Sequence, residues 1–295
     1  IGHLESLEVL KLWRNNISSL PNSFKHLKKL RILSLRTNKI SELSGLLSGL
    51  QSLEVLSLDG NNLKHFPRFG ANSMRLKTLS LDRTLLTKLP SNIGSLIRLD
   101  HLSLQNCKLL EIPDELGQLK SLTYLNLSHN ELTSVPDTIG QLKNLKTLLL
   151  NNNHLTQLPR SIGGLNSLET LRIDNNNFQE IPPGLWRLSK LEELNIMDNP
   201  IKEQEKKLQF RDVKTVLDHC HRKACVQIFI SHAVVNFQEY RIEEFASILE
   251  NLDEVYKVFH CEEDLIDNID EFMDKNVPEC QILLFIGTKK SIYDS

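Results

Sequence analysis

Two short stretches hold the residue types that most often do chemistry. Cys261, Glu262, Glu263 and Asp264 place a thiol before three carboxylates. His219, Cys220 and His221, with Cys225 a turn further on, set imidazoles beside thiols. The first has the donors of a hard-cation site and the second those of a zinc site. Their spacing argues against both. Neighbouring side chains fan out around a helix or alternate across a strand, so three adjoining carboxylates cannot face one ion. On one helix Cys220 and His221 diverge by about 100°. The favoured readings are a solvated or functional acidic loop and ordinary helix packing, with no metal expected. Elsewhere histidines and carboxylates lack triad or metal-ligand spacing, so no catalytic residue is expected there.

The elements that must position any site follow from a repeat. The pattern L-x-x-L-x-L-x-x-N begins at Leu7, Leu30, Leu53, Leu76, Leu99, Leu122, Leu145, Leu168 and Leu191, always 23 residues apart. Leu122, Leu125, Leu127 and Asn130 show it in full. The L-x-L alternation turns every second side chain inward from a short strand. The Asn stands where the chain leaves that strand, and its amide can both donate and accept between stacked turns. Pro21, Pro67, Pro90, Pro113, Pro136, Pro159 and Pro182 fall on the return segment, where a missing N–H costs little. Thr84 and Cys107 replace the Asn in two repeats, and slightly weaker turns are expected there.

This pattern resembles the short intracellular leucine-rich repeat, LxxLxLxxNxLxxLPxxIGxLxxL, over about two-thirds of the chain. The resemblance implies a solenoid with a parallel β sheet lining its concave face. One repeat cannot fold alone. About seven apolar side chains contribute roughly 1.5–3 kcal/mol each, whereas ordering each backbone residue costs roughly 1–2 kcal/mol. Stability is expected from the stacked array, closed by a cap or linker over 201–225, where Leu208, Val213, Val216 and Leu217 have helical spacing.

The non-leucine strand positions are expected to face the concave surface. His101, Tyr124, Asn126 and Leu149 would then meet on the middle repeats, Trp13, Arg14 and Arg36 near the first, with Arg172 further along. Exposed Trp, Tyr and Arg dominate interface energetics. The face mixes charges and lacks a basic stripe, so a protein or peptide is the expected partner.

Residues 226–295 follow another rule. Apolar strands are expected at Val226–Ser231, Val255–Phe259 and Ile282–Ile286, with helices at 237–252 and 269–277. The β-α-β-α-β order implies a parallel sheet of flavodoxin-like type, an α/β arrangement in which ligands sit beyond the carboxyl ends of the strands. Those ends carry Ser231 and His232, then Cys261, Glu262, Glu263 and Asp264, then Gly287 and Thr288. Phe229-Ile230-Ser231-His232, Cys261–Leu265 and Leu283–Thr288 resemble the opening motifs of a Toll/interleukin receptor (TIR) domain, over roughly half of such a domain. That resemblance implies self-association with like modules in signalling, or cleavage of NAD as a substrate, with no resident cofactor. The family's catalytic glutamate would lie beyond Ser295, so this stretch by itself is expected to be inactive. The loop at 262–268 also lacks the glycine or proline usual in that family.

The whole chain carries a net charge of −2. Residues 226–295 account for −10 and the rest for +8. The acidic part is expected to repel DNA, and the opposite charges would permit it to dock back on the solenoid in a resting state. No stretch reaches the roughly 20 apolar residues of a membrane span. Five irregularly spaced cysteines suggest reduced thiols and a cytoplasmic protein. Ile1 opens inside a repeat and Ser295 closely follows a strand, so both ends look cut.

Overall fold

The computed structural model describes residues 1–43, 45–69 and 75–224, together with the backbone of three strands at 226–232, 255–260 and 282–286. Nine short strands, β1 (Val9–Lys11), β2 (Ile32–Ser34), β3 (Val55–Ser57), β4 (Thr78–Ser80), β5 (His101–Ser103), β6 (Tyr124–Asn126), β7 (Thr147–Leu149), β8 (Thr170–Arg172) and β9 (Glu193–Asn195), pair in parallel and in chain order. Each residue lies opposite its equivalent one repeat on, as Leu102 does opposite Leu125. The sequence period has thus become the sheet register. The central leucines from Leu33 to Leu171 are wholly buried, because each is covered by its counterparts in the coils on either side.

The return segments close as 3-10 turns, among them Ser91–Ser95, Asp114–Gln118, Asp137–Gln141 and Arg160–Gly164. A proline precedes each, in extended backbone with φ near the value its ring imposes (Pro136, φ −68°). Successive turns press so closely that a Cβ on Gly140 would overlap the carbonyl oxygen of Ser161.

The asparagines form a buried ladder. Asn153 Nδ2 donates to the carbonyls of Leu150 (2.9 Å) and of Leu127 one repeat earlier (3.0 Å), while its Oδ1 accepts from Leu132 N (3.1 Å). Asn38, Asn61, Asn130, Asn176 and Asn199 repeat the set. The residue before the ladder position is left-handed in every repeat: Arg14, Thr37, Gly60, Arg83, Asn106, His129, Asn152, Asn175 and Asp198. That reversal takes the chain out of the strand, and only Gly60 makes it without the steric cost of a Cβ.

Thr84 and Cys107 replace two rungs with a smaller network. The Thr84 hydroxyl donates to Leu81 O (2.8 Å) and lies 3.3 Å from Cys107 Sγ, which itself reaches Leu81 O at 3.3 Å.

After β9 the chain forms α1 (Glu203–Lys206), a 3-10 turn and α2 (Val213–Ala224). Glu205 Oε2 accepts from Ile181 N (2.8 Å), and Lys202 N donates to Gln179 O (2.9 Å), tying this end to the last coils. Val216 and Cys220 are buried, at the i, i+4 spacing of one helix face.

The chain divides into two compact units, Ile1–Leu217 and Asp218–Ser295. In the second, β10 (Val226–His232), β11 (Val255–His260) and β12 (Ile282–Ile286) form a parallel sheet in the order β11-β10-β12. The helices expected at 237–252 and 269–277, together with Cys225 and Cys261–Asp264, lie outside the described residues.

Candidate functional site

The middle of the first sheet brings two of its expected residues into direct contact. His101 on β5 and Tyr124 on β6 are register partners, and their rings stack with centroids 4.1 Å apart and planes 5° from parallel. Both rings are half-buried. Burial lowers the pKa of His101, against the opposing pull of Asp100 and Asp82, so its imidazole is favoured in the neutral form. Burial likewise raises the pKa of Tyr124. Leu149 on β7 is partly exposed, one strand further on.

Asn126 lies beneath this surface, its side chain hydrogen-bonded to that of Tyr124. It is only 6% exposed, and its Oδ1 accepts from the N–H (3.0 Å) and the hydroxyl (2.6 Å) of Ser128. Stacked coils leave its position between neighbouring side chains, so it braces the strand end. Arg172 is similarly engaged, Nε and one terminal nitrogen bonding the two carboxylate oxygens of Asp174 (3.1 and 3.2 Å).

The column six residues after the first leucine is exposed at its start and largely buried thereafter. Trp13 and Arg36 are exposed, whereas Asp59, Ser128, Asn151 and Asp174 are buried. The reason lies in the parallel ladder. Asp82 Oδ1 accepts from Ser103 Oγ (2.6 Å) and from Gln105 N (2.7 Å), and Asp59 Oδ1 accepts from Ser80 Oγ and from Asp82 N (3.0 Å). Burial raises the pKa of Asp82, with the Asp59 charge adding to the effect. Arg36 Nε lies 2.8 Å from Asp59 Oδ2, an ion pair out of line for a hydrogen bond.

Trp13, Arg14 and Arg36 do come together. With Lys11, Thr37 and Arg83 they line a depression of about 560 Å³ at the carboxyl ends of the first strands. Arg14 lies over the Trp13 ring, 5.6 Å from its centroid. Sequence reading missed Lys11 and Arg83. Lys11 lies on β1 two residues before Trp13, and Arg83 holds the left-handed position, which the leucine pattern does not mark.

Ser231 and His232 end β10. Among the described residues no group of three His, Cys, Asp or Glu could hold a metal ion. Burial raises the pKa of the Cys107 thiol and keeps it protonated.

The family described as leucine-rich repeat region matches residues 114–271, just over half of the chain. The chain belongs to the leucine-rich-repeat family. Two further leucine-rich-repeat descriptions match residues 3–63 and 98–119. A leucine-rich-repeat protein of Leptospira interrogans is similar at 32% identity and a TM-score of 0.65, over 74% of this chain and 61% of that one. An internalin of Listeria monocytogenes shares the fold at 23% identity and a TM-score of 0.51, over 66% of this chain and 62% of that one. This leucine-rich-repeat chain thus spans about three-fifths of either structure's length. No curated protein matches it. No helix among its described residues is long and apolar enough to cross a membrane.

Proposed function

We propose that this leucine-rich-repeat chain is a recognition module that holds a protein or peptide on its concave face. The carrying observation is the stacked, half-buried His101–Tyr124 pair beside partly exposed Leu149. A flat aromatic surface held on rigid strands loses little conformational entropy when a partner covers it. To test this, a photo-crosslinking amino acid replaces Tyr124 or, on the return segment, exposed Gln141 in the full chain. Efficient capture of one partner from position 124 and none from 141 is the expected outcome. Equal capture from both sides would remove the reading.

The second unit is read as the opening half of a TIR-like, flavodoxin-type domain that relays recognition by association with like modules in the cytoplasm. The strand order β11-β10-β12 supports it, as does the position of Ser231 and His232 at a carboxyl strand end. The acidic balance of 226–295 supports a module that does not bind DNA. A second reading takes NAD as a substrate of the completed domain, with the solenoid in control. Incubating the full-length protein with NAD and measuring free nicotinamide separates the two: release favours the enzyme, its absence the adaptor.

A further inference from the structure

We propose that the basic depression at the first repeats is the subsite for an acidic, extended peptide segment of the protein partner. This rests on the recognition reading above and gives it a chemical class. Lys11, Arg14, Arg36 and Arg83 surround Trp13, which is 52% exposed. Arg36 is paired with Asp59. For Lys11, Arg14 and Arg83, no carboxylate among the described residues lies within ion-pair distance.

The spacing selects the ligand. Arg14 and Arg83 occupy the same left-handed position three coils apart. At about 4.8 Å between strands that is roughly 14 Å, the length of about four extended residues. A single small anion cannot bridge it, but a peptide with carboxylates at both ends of such a stretch can. Gly60 stands between them in the column, next to Thr37. An added Cβ would sit in ordinary van der Waals contact with Thr37, 3.5 Å away, so glycine keeps this step between the two arginines free of a side chain. Trp13 and the methylene stems of Lys11 and the arginines supply the apolar floor that a peptide backbone needs.

The test uses the full chain and fluorescein-labelled hexaglutamate, followed by anisotropy in about 50 mM salt, with hexaglutamine and inorganic phosphate as competitors. Arg83→Glu and Arg14→Glu are each expected to weaken binding at least about fivefold. Gly60→Asn removes no charge, and Asn already occupies the same left-handed position at 106, 152 and 175. It is expected to weaken binding similarly while melting only slightly below the parent, since a side chain at this left-handed position carries some strain. Lys146→Glu, an exposed cation outside the depression, should leave affinity unchanged. Equal loss in Lys146→Glu, an unaffected Gly60→Asn, or full competition by millimolar phosphate would overturn the proposal. No hexaglutamate binding would also overturn it, yet leave crosslinking at position 124 untouched, so the two readings fail separately.

Discussion

His101 and Tyr124 lie ring on ring at 4.1 Å, each from the same position of adjacent coils, with the neutral imidazole favoured by burial. This pair sets a flat aromatic surface at mid-sheet. Replacing Tyr124 and Leu149 together by alanine is expected to weaken partner binding at least about tenfold, or about 1.4 kcal/mol. Isothermal titration with the crosslinked partner checks it, and unchanged affinity moves the site to the first repeats.

The same pair sets a pH dependence. The folded pKa of His101 lies below the ordinary 6.5, so the unfolded chain binds the proton more readily. His101 therefore contributes stability that is full above about pH 6.5 and declines as pH falls through the window below it. Melting at pH 7.5 and pH 5 should show a smaller difference for His101→Gln than for the parent. An identical difference would assign the acid sensitivity elsewhere.

Asp82 behaves in the opposite sense. Its folded pKa is raised, so its ionised form is a cost at neutral pH that disappears as the group protonates. Asp82→Asn keeps an oxygen to accept from Ser103 and Gln105. The variant is expected to melt higher than the parent at pH 7 and no higher near pH 3. A lower melting temperature at pH 7 would mean the carboxylate charge itself is needed.

The ladder asparagines should be costly to remove. Asn153→Ala strips partners from the buried Leu132 N–H and from two carbonyls, which is expected to lower stability by about 2–4 kcal/mol in urea unfolding. Conversely, Thr84→Asn with Cys107→Asn would restore two rungs and stabilise by about 1 kcal/mol. Because Thr84 and Cys107 touch, the single changes should not add up to the double.

Two glycines separate sterics from backbone strain. Gly140→Ala drives a methyl group into the Ser161 carbonyl and is expected to cost more than about 2 kcal/mol. Gly45 has positive φ (67°) and open space around it, so Gly45→Ala should cost only about 1 kcal/mol. Thermal unfolding of the two variants would rank them.

Much of this protein was legible before any coordinates. A period of 23 residues, with leucine at fixed offsets, predicts parallel strands in register around a shared interior, and there the central leucines are wholly buried. The proline positions marked the return segments, and the asparagine positions marked the ladder. What the repeat could not say is which polar residues remain open. Asn126 and Arg172 have the residue types and column of a binding face, but Ser128 and Asp174 engage them. Arg83 lies 69 positions from Arg14 in the chain and enters the same depression. Periodicity specifies the in-or-out direction of each side chain. Contacts between neighbouring coils, which depend on side-chain length, left-handed turns and the gap at Gly60, are settled only when the coils stack.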